Sequence, residues 1–334
     1  MKRVNGKFFL FGVFIGLFLF IAYLLNRPDG LLHIVFCDVG QGDGIYIRFP
    51  NGDDGLIDGG PNHDILVCLG KHMPFWDRTI ELVVLTHPQS DHFAGLTEVL
   101  NRYTVNLLLV PAVENPAKSY QMFKKSAKIS AARIHNPYRD ERLRVGESVT
   151  LSVLWPERKW VANKFKVQSE KFPPKADLHQ RWMSLWLKPL AEKVTKTDSV
   201  LGVSTTHDDL NDFSIVLLMS YKSFDVLFTG DAEYDILEPI VVQKNILREK
   251  ELEILKVGHH GGKNALSGKL AASLDPDLSV ISVGAKNSYG HPAQVTLDLL
   301  VAEGSKIART DLEGEIEVVT DGEKWTYKSE KAGN

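Results

Sequence analysis

From residue 31 onward, short apolar runs alternate along the chain with longer amphipathic stretches. The short runs predict strands over residues 31–37, 44–49, 55–58, 81–86, 106–110, 148–154, 213–219, 224–229, 252–257, 278–283, 306–309 and 315–319. The longer stretches predict helices over 62–72, 93–102, 233–246, 265–274 and 293–302. Glycine-rich turns join the early strands, as in a meander, while the later strands alternate with helices. That mixture points to an α/β protein with sheet packed on sheet and helices outside, not to a doubly wound parallel sheet. There is no internal repeat and no low-complexity tract.

Residues 157–210 break this rhythm with scattered charges, the pair Pro173-Pro174 and the aromatic residues Trp160, Phe165, Phe172, Trp182 and Trp186. Structureless loops of that length are rare in compact domains, so a helix is expected within it, over 178–194. The segment reads as an insertion whose apolar side chains pack on the body. A lid over substrate is the sharper alternative.

At the other extreme of patterning, residues 8–25 (FFLFGVFIGLFLFIAYLL) run for eighteen positions without a charge. As a helix that run is ~27 Å long, about one hydrocarbon thickness. Lys2, Arg3 and Lys7 precede it, while Arg27 and Asp29 nearly cancel behind it. The positive-inside rule then sets the N-terminus in the cytoplasm and the remainder on the far side. A cleaved signal peptide calls for a shorter apolar core and a small-x-small site, whereas this run exits through Tyr23-Leu24-Leu25-Asn26-Arg27-Pro28. The expected organisation is a cytoplasmic end and single-pass anchor over 1–26, one domain over 31–320 carrying the insertion 157–210, and a C-terminal tail over 321–334. Gly12 and Gly16 form a GxxxG, a spacing that lets two helices approach but that membrane helices also carry without dimerising.

Composition narrows the class without naming it. The 334 residues are 44% apolar and 24% charged, with 39 basic and 42 acidic side chains and a net charge of −3. That balance excludes collagen-like, disordered and disulfide-framework chains. There is no global basic excess to bind nucleic acid, and Lys124-Lys125-Ser126-Ala127-Lys128 reads as a solvated helix face. Cys37 and Cys68 are too few for a Cys-ligated zinc framework. Whether they pair is not legible, and in apolar surroundings two buried free thiols are the default expectation.

The candidate chemistry lies where apolar strands end. Leu82-Val83-Val84-Leu85-Thr86 runs into His87-Pro88-Gln89-Ser90-Asp91-His92, a mixed nitrogen and oxygen donor set that suits zinc, manganese or iron. Asp231 follows Val226-Leu227-Phe228-Thr229-Gly230, and His259 and His260 follow Ile254-Leu255-Lys256-Val257-Gly258. His291 sits in Tyr289-Gly290-His291-Pro292, after the strand 278–283. Four strand ends that each finish in metal-type side chains argue for one centre.

In this order, HxxxDH, TGD and HHG resemble the metallo-β-lactamase superfamily. Asp38-Val39-Gly40-Gln41-Gly42-Asp43, Ile57-Asp58-Gly59-Gly60, Asn211-Asp212-Phe213-Ser214-Ile215-Val216, Tyr289-Gly290-His291-Pro292 and Arg309-Thr310-Asp311 further resemble the hydrolase domain of ComEC-type competence proteins. The resemblance implies a four-layer αββα sandwich with a metal site at one edge between the sheets. It also implies a metal-activated water that attacks an ester or phosphodiester bond.

Two departures qualify the site. Gln89 stands where the superfamily pattern has a histidine, and residues 93–134 contain no histidine to complete the first metal site. His135 comes late, in what reads as a polar surface turn. The first site thus keeps His87 and a share of Asp231, whereas the second is complete in Asp91, His92, Asp231 and one of His259 or His260. Adjacent residues at a strand end face opposite ways, so one of that pair is expected to bind metal and the other to meet substrate or a carboxylate. Asp91, His260 and His291 are the candidate catalytic residues, His291 for a developing oxyanion or the leaving group. Asp43 and Asp58 are either carboxylates that orient a ligand histidine or ordinary turn residues, and for Ser214 and Asn211 capping suffices. The expected function is a membrane-anchored phosphodiesterase or nuclease. It would use zinc or manganese in one well-formed site and a weaker second, act on phosphodiesters with single-stranded DNA among them, and have competence-type partners. Its catalytic domain would be periplasmic or extracellular on a cytoplasmic-membrane anchor. The rivals are a cell-envelope ester or phosphodiester hydrolase and a metal-poor binding module of the same fold.

Overall fold

The computed structural model describes residues 11–17, 27–164, 203–204, 210–242 and 252–331. In chain order the elements are β1 (Leu32–Phe36), β2 (Ile45–Arg48), β3 (Asp54–Ile57), α1 (Asp64–His72), β4 (Thr79–Val84), α2 (Ser90–Leu100), β5 (Thr104–Leu109), β6 (Val113–Glu114), α3 (Lys118–Ser130), β7 (Ala131–His135), β8 (Arg142–Val145), β9 (Val149–Trp155) and α4 (Arg158–Lys164). They continue with β10 (Val203–Ser204), β11 (Val216–Tyr221), β12 (Phe224–Phe228), α5 (Tyr234–Val241), β13 (Leu252–Lys256), α6 (Gly268–Leu274), β14 (Pro276–Ile281), α7 (Gln294–Ala302), β15 (Lys306–Arg309), α8 (Thr310–Glu313), β16 (Ile316–Thr320) and β17 (Trp325–Ser329).

Two mixed sheets result, ordered β17-β16-β1-β2-β3-β4-β5-β7 and β15-β14-β13-β12-β11-β9-β8, with a small β10-β6 pair beside them. In each sheet one half is antiparallel and the other parallel. The central strands are apolar on both faces because both faces are covered, whereas the edge strands β7, β8 and β17 are partly exposed. In β1, Leu32, Ile34 and Phe36 enter the core between the sheets, where Leu217, Met219, Val226 and Phe228 meet them. Val35 and Cys37 point the other way, against α1, α2 and α3. Helices α5, α6 and α7 cover the outer face of the second sheet. Each large side chain so buried contributes ~1.5–3 kcal/mol, and the layers are α, β, β, α as expected.

Several elements differ from the sequence expectation. The strand expected over 213–219 starts at Val216, because Asn211–Phe213 form a 3₁₀ turn first. Helix α3 was foreshadowed only by the helix face read at Lys124–Lys128, and strands β7 and β8 were not anticipated; their short, half-exposed runs alternate too weakly to stand out. His135 is therefore the last residue of β7, not part of a turn, and its Nε2 lies 2.6 Å from Glu141 Oε2. Strand β17 extends the first sheet past residue 320, into the segment expected to be a tail. The expected free thiols are a disulfide: Cys37, on the helix-facing side of β1, meets Cys68 of α1 at a Cα–Cα distance of 5.9 Å. Thirty-one residues separate the two in sequence, so only the packing of α1 on β1 could reveal the bond.

The predicted helix 178–194 and most of the insertion lie outside the described residues. Within the described part, Trp160 of α4 packs edge-on against Trp155 and Phe213, on the body of the domain. Residues 11–17 are helical, and the rest of the apolar run 8–25 lies outside the described residues. Among the described residues no helix is long and apolar enough to cross a membrane.

Strands β1, β3, β4, β12, β13 and β14 share one sense, so the loops at their C-terminal ends gather at one edge of the sandwich. There the two sheets are laced together, Ile215 N donating to Thr86 O and Gly284 N to Gln41 Oε1, while Asp231 N donates to Ser214 Oγ within the second sheet. Crevices at such carboxyl ends are the usual place for ligands in α/β sheets.

Candidate metal centre

The first sheet contributes three loops. β3 ends in Asp58, which adopts a left-handed φ of 57°, β4 runs on through Thr86 to His87, and α2 begins with Asp91 and His92 in its first turn. Two glycines allow the close approach. A Cβ on Gly95 would lie 1.8 Å from Gly59 O, so α2 can press its Asp91-His92 turn onto the Asp58 loop only without one. A Cβ on Gly42 would lie 2.2 Å from Asp91 O, at a φ of +144°, and this brings Asp43 beneath the same turn.

The second sheet contributes Asp231 after β12 and the His259-His260 turn after β13. Both histidines are left-handed, with φ of 46° and 52°. Side chains with a Cβ adopt that region at a cost, and such residues concentrate at functional sites. The turn separates the pair: His260 is buried and points inward, while His259 is half-exposed with Nδ1 2.7 Å from Glu233 Oε1.

Asp91, His92, Asp231 and His260 each present a donor atom, all within 4.8 Å of one another. Asp231 Oδ2 is the hub, 3.4 Å from His92 Nε2, 3.5 Å from His260 Nε2 and 3.8 Å from His87 Nε2. Asp91 Oδ2 closes the ring 3.4 Å from His260 Nε2. The Nε2 atoms of His87, His92 and His260 and Oδ1 of Asp231 are buried without hydrogen-bond partners. Leaving so many buried polar atoms unpaired costs ~1–3 kcal/mol each. A divalent cation among them supplies the missing partner to nitrogen and carboxylate alike, so the donor set fits a metal ion.

The opposite ring nitrogens are occupied. His92 Nδ1 lies 2.8 Å from Asp58 Oδ2, and His260 Nδ1 donates to the Ser282 carbonyl at 2.9 Å. Such bonds fix the rings with Nε2 directed into the cluster, as metal-ligating histidines require. Asp58 is itself held by the amide and hydroxyl of Thr86, at 2.8 and 2.6 Å. Lys256 lies completely buried beneath, its Nζ paired with Asp43 Oδ2, donating to Gly230 O at 2.8 Å and 3.7 Å from Asp231 Oδ1.

The charges reinforce one another. Burial opposes ionisation of Asp231, but His260 and His92 outweigh it and hold the carboxyl well below the usual range. Burial likewise disfavours charge on His260, but Asp231, Asp43 and Asp91 push its pKa up to about 10. Burial, with His92 adding to it, pushes His87 down to about 3, so that ring remains a neutral imidazole. Burial works against Lys256 too, and Asp43 and Asp231 overcome it and keep the ammonium charged.

Of the residues singled out from sequence, Asp91, His92, Asp231 and His260 form the cluster, and His87 adjoins it. His259 does not enter it. The His291 ring stands at the rim, 5.3 Å from that of His259 and 6.4 Å from that of His260, with Nδ1 unpartnered. Gln89 turns away from the centre and donates to Asn211 Oδ1 at 2.6 Å. Sequence reasoning missed Thr86 and Lys256, and gave Ser214 and Asn211 only turn roles. Lys256 did leave a signal, since alternation along β13 puts it on the same inward face as Ile254, where a charge needs partners.

Fold and site together resemble one class: an αββα sandwich with a histidine–aspartate centre at the edge between its sheets, as in metallo-β-lactamase-fold proteins. Within that class the sequence is similar to competence proteins of the ComEC type. It is 23% identical to ComE operon protein 3 of Bacillus subtilis over 318 residues, covering 90% of this chain and 34% of that protein. It is also 23% identical over 326 residues to Recombination protein 2 of Haemophilus influenzae, covering 95% of this chain and 32% of the other. The chain thus spans about a third of the length of these relatives. Among solved structures, a long-form RNase Z from yeast overlaps 89% of this chain and 42% of its own with a TM-score of 0.46 at 11% identity. Igni18, a metallo hydrolase from Ignicoccus hospitalis, overlaps 85% of this chain and 98% of its own with a TM-score of 0.46 at 10% identity. No family model matches the chain.

Proposed function

We propose that the chain is a membrane-tethered metal-dependent hydrolase that cleaves a phosphodiester, nucleic acid first. The observation that carries this reading is the convergence of the unpartnered Nε2 atoms of His92 and His260 with the Asp91 and Asp231 carboxylates, with His87 Nε2 unpartnered beside them. Asp91, His92, Asp231 and His260 would hold a divalent ion, which when bound would supply Lewis-acid polarisation of the scissile bond and activation of water. The protein's share is orientation. Asp91, 27% exposed where its cluster partners are at most 2% exposed, opens the centre toward solvent and defines the side on which substrate enters. His259 and His291 line that entrance, and Glu233 steadies the His259 ring. Two imidazoles there suit a phosphoryl group, offering N–H donors to its oxygens, with His291 placed to hand a proton to the leaving oxygen.

The names of the relatives support a nucleic acid as the phosphodiester. Membrane tethering rests on the uncharged run 8–25. The Cys37–Cys68 disulfide supports an oxidising compartment for the domain. Leu32, where the chain enters the first sheet, is at the pole opposite the metal centre, so a tethered domain would turn its site away from the bilayer. A metal-poor binding module is the second reading, favoured by the Gln89–Asn211 bond that withdraws Gln89 from the centre.

Metal analysis of the purified full chain, followed by hydrolysis of bis-p-nitrophenyl phosphate and single-stranded DNA, tests the proposal. Bound transition metal with turnover that Asp91→Ala abolishes is the expected result. A protein that neither carries nor takes up a transition metal favours the metal-poor binding module, and equal rates in wild type and variant overturn the assigned chemistry.

A further inference from the structure

We infer that Lys256 is a positioning residue for the metal centre, acting through Asp43 and the Gly230 carbonyl. The inference rests on the metal-binding reading above. Lys256 ends β13 on the face directed between the sheets, and nothing of its side chain reaches solvent. Its ammonium meets three acceptors with different duties. Gly230 O, at 2.8 Å, belongs to the residue immediately before Asp231, so this bond fixes the turn that aims the hub carboxylate. Asp231 Oδ1, at 3.7 Å, is drawn toward the lysine, leaving Oδ2 for the histidine nitrogens. Asp43, the third partner, stands behind two imidazoles, with Oδ1 3.5 Å from His260 Nδ1 and Oδ2 3.9 Å from His92 Nδ1. One cation therefore ties the backing of His92 and His260 to the loop that carries Asp231.

Other duties for Lys256 fit less well. A protonated amine has no lone pair to offer a metal, and with no exposure it cannot touch substrate. A purely structural ion pair is the remaining rival, and it makes a different prediction. Buried pairs of that kind can be replaced by neutral side chains of similar volume without loss, whereas contacts that orient metal ligands are worth about 10–100-fold in affinity.

The test compares the full-length wild type with Lys256→Met, Asp43→Asn and the double variant Asp43→Asn/Lys256→Met. Each is stripped of metal and titrated with Mn2+ while free ion is followed by electron paramagnetic resonance. Either single variant strands a buried charge and can fail to fold; the double variant removes both charges and keeps the test decisive. The expected result is a double variant that melts within a few degrees of the metal-free wild type yet binds Mn2+ at least about 10-fold more weakly. Its Co2+ form should also show shifted visible bands, reporting altered ligand geometry. A double variant with wild-type Mn2+ affinity and an unchanged Co2+ spectrum overturns the inference and leaves the metal reading standing. A wild type that binds neither ion overturns both.

Discussion

Asp58 Oδ2 and His92 Nδ1 lie 2.8 Å apart, both residues fully buried, one at the end of β3 and the other in the first turn of α2. The carboxylate reaches His92 on the side away from the cluster, so it orients a ring whose Nε2 faces Asp231. Asn tolerates the left-handed backbone that Asp58 adopts and keeps an acceptor for the Thr86 amide, but it loses the charge that backs the imidazole. Asp58→Asn should weaken divalent-metal affinity about 10–100-fold with little change in the far-ultraviolet circular dichroism. Calorimetric titration with Mn2+ checks it, and an unchanged affinity would remove Asp58 from the centre.

His259 and His260 should part company under the same substitution. Both occupy left-handed backbone, so Asn at either position leaves the turn intact and isolates the ring. His260→Asn removes a member of the cluster and should cost more than the ~100-fold that outer contacts reach. His259→Asn breaks only the bond to Glu233 and should leave metal affinity within about 3-fold while raising KM for an anionic substrate, because a donor at the entrance is gone. Equal losses of metal affinity in the two variants would contradict the assignment of His260 alone to the cluster.

Which of those two histidines turns inward was not legible in the sequence. Alternation at a strand end says only that neighbours diverge, and the choice is made by two consecutive left-handed residues, which no apolar pattern reports. The layers were legible because β1, β4, β12 and β13 are apolar runs bounded by turn residues, and because Asp91, His92 and Asp231 each close such a run. Thr86 and Lys256 were passed over for a related reason. Each works through a partner remote in sequence, Asp58 for one and Asp43 for the other. The same holds for Cys37 and Cys68, which meet only once α1 is laid on the first sheet. Pairwise relations of this kind belong to packing, and the one-dimensional pattern carries only the faces on which they form.

That disulfide closes a loop between residues 31 apart, and the loop carries Asp43 and Asp58. Restricting the unfolded chain over such a span stabilises the native state by ~2–4 kcal/mol. Cys37→Ala/Cys68→Ala should lower the unfolding free energy by about that much, read as an earlier urea midpoint, with a slope no shallower because the unfolded chain is released. The reduced wild type should reproduce the shift. Coincident unfolding curves for reduced and oxidised protein would show that the bond adds nothing.

At the opposite pole, His33 of β1 links two acidic partners, with Nδ1 2.9 Å from Glu317 Oε1 of β16 and Nε2 2.9 Å from Asp29 Oδ2. The hydrogen bond to Glu317 raises the His33 pKa above 6.5, with burial opposing it and Asp29 adding to the rise. The same contact lowers Glu317 from 4.5 to about 2. The two signs bound a window. The raised histidine contributes stability that is fully present below 6.5 and is lost as pH climbs through its folded value. The lowered carboxylate contributes stability that is present above 4.5 and is lost as pH falls toward about 2. The advantage of wild type over His33→Gln should therefore peak between pH 4.5 and 6.5 and shrink on both sides. Because the pair is partly solvated, the peak difference should be only ~0.5–1 kcal/mol. Melting temperatures of the two proteins across that range and beyond measure it. A difference that grows steadily into alkaline pH would mean that His33 stabilises the β1–β16 seam as a neutral ring rather than as the cation between Glu317 and Asp29.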